Sequence, residues 1–107
     1  MENLHMRLSS PVQPRNRSAV LVGVVASGNC EVLLERADPS GGAPACDITV
    51  HTSALGFSRI WEAVLADFTA RHELGGLRIE INDAGATPAI VSLRLEQSIE
   101  VWEDEDA

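Results

Sequence analysis

The sequence predicts an α+β domain, a two-layer sandwich in which a mostly antiparallel sheet of five to six strands carries one main helix. Three observations lead there. Several segments alternate apolar and polar residues with period two, as strands with one wet face do. One segment, Phe57 to Phe68, repeats its apolar residues at steps of three and four, the stripe of an amphipathic helix. A helix of about 15 residues is roughly 22 Å long and covers about four strands at about 4.8 Å spacing, so one helix suits one face of such a sheet.

Taken in order, Leu4 to Ser9 alternates and reads as a first, edge strand. Pro11 to Arg17 holds two prolines among polar residues and reads as a linker or arm. Ala19 to Val25 is almost continuously apolar, the pattern of a central strand buried on both faces. Cys30 to Arg36 follows as its hairpin partner, and Asp38 to Pro44 is a loop. Asp47 to Thr52 places Ile48 and Val50 on one side and Asp47, Thr49 and His51 on the other. In the helical segment the expected buried stripe is Phe57, Ile60, Trp61, Val64, Leu65 and Phe68. Ser58 is the expected N-cap and Gly75-Gly76 the expected stop. Leu77, Ile79 and Ile81 alternate with Arg78, Glu80 and Asn82. Val91, Leu93 and Leu95 alternate with Ser92, Arg94 and Glu96, which reads as a last strand after an Asp83–Pro88 turn in which Gly85 permits positive φ. The predicted order is β–β–β–β–α–β–β.

At 107 residues the chain reads as a single domain, 1–107. Residues 1–17 form a partly extended N-terminal arm, and 101–107 an acidic, solvated tail. A net charge of −8 argues against a nucleic-acid partner, because phosphate backbones select clustered Lys and Arg, and against anionic membrane surfaces. The N-terminus lacks the apolar core of a signal peptide, and no apolar run reaches membrane-spanning length. Two cysteines, Cys30 and Cys46, without C-x-x-C spacing, read as free thiols of a cytoplasmic protein. His5, His51 and His72 are scattered without metal-ligand spacing. No glycine-rich phosphate cradle and no catalytic constellation is evident, so neither a metal nor catalytic residues are expected.

The segment of most functional interest is the break Ala26-Ser27-Gly28-Asn29 between two strand-like runs. Gly and Asn tolerate the positive φ of a tight hairpin turn, so Ser27 is lifted to the tip of a two-stranded arm with its hydroxyl in water. A serine there is either simple turn chemistry or an accessible point of covalent attachment. The Asp83–Pro88 turn likewise has two readings, a plain connection or a loop beside the Ser27 tip that helps receive a modifying enzyme.

Gly23-Val24-Val25-Ala26-Ser27-Gly28-Asn29-Cys30-Glu31-Val32-Leu33 resembles the prosthetic-group segment of the malonate decarboxylase acyl carrier protein family, the delta subunit. The block from Asn82 to Gln97 is similar to that family's C-terminal block, and Ile48 to Ser53 before a Trp61-containing helix is a looser third match. The three blocks run in order through most of the chain, from about Ser18 to about Glu100. The resemblance implies a non-catalytic carrier subunit, with Ser27 bearing phosphoribosyl-dephospho-coenzyme A through a phosphodiester. It also implies acetyl and malonyl thioesters as cargo. The implied partners are a prosthetic-group transferase and the acyltransferase and decarboxylase subunits of a multi-subunit complex. The citrate lyase acyl carrier is a related alternative, and an unmodified protein-interaction module using the open sheet face is another. Thr87-Pro88 and Glu31-Val32-Leu33-Leu34-Glu35 favour the decarboxylase carrier. Asn29 stands where both families usually have Asp, and Ala26 where the decarboxylase family often has Gly. The Asp-Ser-Leu tripeptide of the four-helix acyl carriers of fatty-acid synthesis is absent.

Overall fold

The computed structural model of the chain describes residues 1–37 and 42–104. Most of the 38–44 loop and the end of the acidic tail, 105–107, lie outside the described residues. The elements are β1 (Glu2–Ser9), β2 (Ala19–Gly23), β3 (Cys30–Arg36), β4 (Ala45–Thr52), α1 (Ser58–Arg71), β5 (Leu77–Asp83) and α2 (Pro88–Glu103). The five strands form one sheet in the order β1-β4-β5-β3-β2. Every pairing is antiparallel except β4 with β5, which α1 connects as a crossover.

Register explains why the period-two runs work together. Met6 lies opposite Ile48, Ile48 beside Ile79, Ile79 opposite Leu34 and Leu34 opposite Val20, so one apolar row crosses the whole sheet. Leu4, Val50, Ile81, Val32 and Val22 make a second row. Both helices pack on this face, α2 over β2 and β3, and α1 beside α2 and reaching β1. The other face is open and carries cross-strand polar pairs. Arg7 meets Asp47 at 2.8 Å, Arg78 meets Glu35 at 3.3 Å, and Asn82 donates to Glu31 at 3.2 Å. His51 lies 3.5 Å from Glu80 on the same face. Exposed pairs of this kind each contribute about 0.2–1 kcal/mol, so they set register more than they hold the fold.

Several sequence expectations are corrected. The expected last strand is helix α2. Its buried residues, Val91, Leu95, Ser98, Ile99 and Trp102, follow a helical repeat, whereas Leu93 is 47% exposed. A strand would have put Leu93 beside Val91 and Leu95 on one face. Thr87 caps this helix, its hydroxyl accepting from the Ile90 N–H, and Pro88 occupies the first turn, where a missing N–H costs nothing. Thr87-Pro88 therefore starts a helix rather than closing a loop.

The apolar run of β2 lies at the sheet edge, not its centre; Leu21 is 58% exposed. The buried stripe of α1 narrows to Trp61, Leu65 and Phe68, while Phe57 and Ile60 are half-exposed. Ser58 is the first helical residue and not the cap; Phe57 holds the cap position without a side-chain bond. The helix ends at Arg71, and its following residue, His72, is extended. Gly75-Gly76 comes later, where Gly75 packs so tightly that a Cβ would meet the Ser10 carbonyl oxygen at 2.4 Å.

Residues 10–17 are extended yet tied down. Gln13 is buried, donating to the Glu73 carbonyl at 2.7 Å, and the Ser10 hydroxyl accepts from the Leu74 N–H at 2.8 Å. Arg17 donates to the Trp102 carbonyl at 2.7 Å, and the Trp102 indole N–H donates to the Arg15 carbonyl at 3.3 Å. The Arg36 guanidinium stacks 5.6 Å from the Trp102 ring. Trp102 is thus fully buried with its N–H satisfied. We expect Trp102→Ala to destabilise the domain by about 3–5 kcal/mol, the range for removing a large aromatic from a core. Trp61→Ala should cost less, because one side of that ring already borders a cavity. Denaturant midpoints of the two variants check the order; equal midpoints would show that the α2 end is not the tighter part of the core.

Candidate functional site

Ladder pairing of β2 with β3 ends at Gly23 opposite Glu31, so residues 24–29 form a loop rather than the tip of a continuous ribbon. Within it the Asn29 N–H donates to the Ala26 carbonyl at 2.9 Å, closing a β-turn with Ser27 and Gly28 at its centre. Gly28 has φ +76°, and among the described residues no non-glycine residue has positive φ. A positive φ at the second central position alone is the mark of a type II turn, which replaces the hairpin types expected from sequence. Ser27 is exposed at the first central position.

The turn does not stand free. The Gly28 N–H donates to the Ala84 carbonyl at 2.8 Å, and the Ala84 N–H donates to the Asn29 carbonyl at 3.0 Å. The Asp83–Pro88 connection is therefore both a turn and the support of the Ser27 loop. It is braced in its turn by Asp83, whose two carboxylate oxygens accept from the Thr52 hydroxyl at 2.8 Å and the Ala86 N–H at 2.9 Å.

Arg94 of α2 locks the other side. Its Nε donates to Asn29 Oδ1 at 3.1 Å and its Nη1 to Gln97 Oε1 at 2.8 Å. The same Asn29 oxygen accepts from the Cys30 N–H at 2.8 Å. No carboxylate lies within 4 Å of the Arg94 guanidinium among the described residues, so a cation stands beside the turn without an anionic partner. Sequence reading placed Arg94 on a strand and missed this role; the Thr87-Pro88 cap signal would have turned it towards Asn29.

Below the turn, Gly23 has φ +81° and a Cβ there would sit 2.1 Å from the Cys30 carbonyl oxygen. At Gly28 a Cβ would meet nothing within 4 Å. Gly28→Ala should therefore cost only the backbone strain of a positive φ, about 1–2 kcal/mol. Gly23→Ala carries that strain plus a collision with backbone, and thermal melts should show the larger loss there. A reversed order would mean the loop base can open.

Cys30 and Cys46 are free and fully buried. Burial pushes the Cys30 thiol up to about 11, the Asp83 carboxylate adding to the shift and Arg94 opposing it. Burial, with Asp47 adding, pushes Cys46 up to about 12. The fold keeps both thiols neutral. That contribution is complete below about pH 8.5, the unfolded thiol value, and is lost as pH climbs through about 11 and then about 12. With Tyr absent and all 8 basic residues Arg, little else titrates in this window. Urea midpoints should fall between pH 8 and pH 10.5, and a Cys30→Ala/Cys46→Ala variant should flatten the fall. An equal decline in that variant would remove the thiols as its cause.

An apolar cavity of about 260 Å³ adjoins the loop support. Phe57 at the cap position and Ile60, Trp61 and Val64 of α1 form one wall, and Gly85 and Ala86 of the supporting connection form part of the other. Among the described residues Asp83 is the one ionisable side chain lining it. No cluster of His, Cys, Asp and Glu suited to a metal occurs among the described residues, and no helix there is long and apolar enough to cross a membrane.

Comparison with known proteins places this geometry. Residues 17–102 match the acyl carrier protein family described as the malonate decarboxylase delta subunit. A malonate decarboxylase acyl carrier protein of Xanthomonas campestris pv. campestris is 63% identical over 87 residues, covering 81% of this chain and 80% of that protein. One from Acinetobacter calcoaceticus is 43% identical over 105 residues, covering 98% of this chain and 100% of that protein. The fold also matches a chain in the crystal structure of a Pseudomonas malonate decarboxylase hetero-tetramer in complex with malonate. That match has a TM-score of 0.81 and 37% identity, and covers 94% of this chain and 98% of that one. An exposed serine on a braced turn is an accessible point of attachment, and this chain belongs to the malonate decarboxylase acyl carrier protein (delta subunit) family.

Proposed function

We propose that Ser27 is the attachment residue of the carrier and bears phosphoribosyl-dephospho-coenzyme A through a phosphodiester on its hydroxyl. The observation that carries this reading is the exposed Ser27 on a turn whose backbone is fixed on both sides, by Ala84 and by Arg94 through Asn29. The residues present fit the group. The space beyond Gly28 is open, and Arg94 offers a guanidinium without a carboxylate partner to a phosphodiester that carries one negative charge. With Asn29 neutral where relatives are expected to carry Asp, that cation keeps its charge for phosphate.

When bound, the group supplies a terminal thiol on which acyl groups are held as thioesters. The chain contributes tethering. A cargo fixed to Ser27 meets successive active sites without entering bulk solution, at an effective concentration on the order of millimolar for a flexible link. A dedicated transferase would load Ser27. An acyltransferase subunit would exchange acetyl for malonyl, and decarboxylase subunits would release carbon dioxide to regenerate acetyl. Two buried free thiols suit a reducing, cytoplasmic setting.

Intact mass of protein co-expressed with its transferase tests the reading. One added group is expected on the natural chain and none on Ser27→Ala, with an unchanged melt because a turn-tip side chain buries little. Absence of any added group would favour an unmodified interaction module; a group mapped to another residue would move the site. Arg94→Gln should slow loading roughly tenfold, the scale of one lost charge-assisted hydrogen bond, with Arg94→Lys intermediate. Equal loading rates for all three would leave Arg94 as a brace of the loop alone.

A further inference from the structure

We infer that the apolar cavity between α1 and the 83–86 connection receives the acyl end of the arm tethered at Ser27, and that it accepts an acetyl thioester and rejects a malonyl one. The inference rests on the reading of Ser27 as the attachment residue and goes beyond it. Three observations carry it.

The first is position. Gly28 is hydrogen-bonded to Ala84, and the next residue, Gly85, lines the cavity. Two chain steps and one interstrand gap therefore separate Ser27 from the cavity wall, at most roughly 13 Å between Cα atoms. An arm with many rotatable bonds can fold back over so short a span.

The second is composition. The walls are aliphatic and aromatic, and the rim holds side chains that a freely solvated surface would not favour, with Phe57 46% and Ile60 44% exposed. Phe57 occupies the cap position of α1, where Ser, Thr, Asp or Asn would bond the free amides of the first turn. The helix start forgoes a cap and presents an aromatic ring at the cavity mouth.

The third is charge. Asp83 is 5% exposed, and its carboxylate is held by Thr52 and by the Ala86 N–H. Acetyl is neutral and small, so burying it costs little. A malonyl group ends in a carboxylate, which would lose its hydration among apolar walls and face a second carboxylate at close range. The cavity thus distinguishes the two cargo states by the group that decarboxylation removes. Docked acetyl would be shielded from water, while a malonyl end would stay outside.

Trp61 lines the cavity and serves as a built-in probe. The experiment uses the full chain with the group on Ser27 confirmed by intact mass, its terminal thiol free, acetylated or malonylated. The acetyl form should shift Trp61 emission to shorter wavelength relative to the free-thiol form, and the malonyl form should not. The acetyl thioester on the chain should react with hydroxylamine roughly tenfold more slowly than a small acetyl thioester in solution, the factor that about 1.4 kcal/mol of docking produces. Ala86→Leu, which fills the cavity, should abolish both effects. Acetyl-loaded natural chain with unshifted emission and an unprotected thioester would overturn the cavity assignment while leaving Ser27 as the attachment residue; a partner's apolar side chain would then be the occupant. Equal shifts for acetyl and malonyl would overturn the charge selection. No added mass would overturn both readings.

Discussion

The insertion of β5 between β4 and β3 is the constraint on which the rest of the molecule depends. Without it the chain contains two antiparallel ribbons, β1 with β4 and β2 with β3, that share no pairing. β5 pairs with one member of each, parallel to β4 and antiparallel to β3; its Leu77, Ile79 and Ile81 are buried, and Ile79 and Ile81 stand at the middle of the two apolar rows. Its last residue, Asp83, lies opposite Cys30 on one side and beside Thr52 on the other. One strand end thereby aligns the start of β3, the end of β4 and the entry to α2. The Ser27 turn inherits its position from that alignment through Ala84.

This arrangement separates what holds the fold from what the fold presents. The helical layer and the inner sheet face bury the aliphatic residues and both tryptophans, and two buried polar networks sit at opposite ends of the sheet. The end with Gln13, Arg17 and Trp102 closes the N-terminal stretch against the end of α2. The end with Asp83, Thr52 and Asn29 positions the Ser27 loop. A four-helix carrier presents its serine at a helix start; here Ser27 sits in a turn beside the sheet edge, held by one backbone hydrogen-bond pair with Ala84 and by Arg94 of α2 through Asn29.

Much of this was legible in the sequence. The strands with clean alternation, β4 and β5, were read with the correct faces, because half-burial leaves a period-two trace. The Ser27 turn was also placed correctly, since glycine marks the positive φ it requires. Two failures have physical causes. In α2 the apolar residues at 91, 93 and 95 imitate alternation, and only the downstream Ile99 and Trp102, together with the Thr87 cap, reveal the helical period. The apolar run 19–25 reads as burial, whereas Leu21 of β2 and Val24 and Val25 of the Ser27 loop are exposed. The contacts of Ala84 and Arg94 with the turn are long-range, and only the Thr87-Pro88 cap signal, by making 88–103 a helix, bears on where Arg94 points.

The burial of Cys30 has a chemical consequence for any thioester carried nearby. A thioester is an activated acyl donor, and the nucleophiles that consume it are thiolates and free amines. Cys30 follows Asn29 directly, only a few residues from Ser27, yet its sulfur is sealed in the core and stays protonated far above neutral pH. Every one of the 8 Lys+Arg positions is arginine, whose guanidinium does not deprotonate, so no side-chain amine exists to be acylated. The chain thereby offers a nearby thioester neither a reactive thiolate nor a lysine amine, the two side-chain nucleophiles that would most readily take up an acyl group.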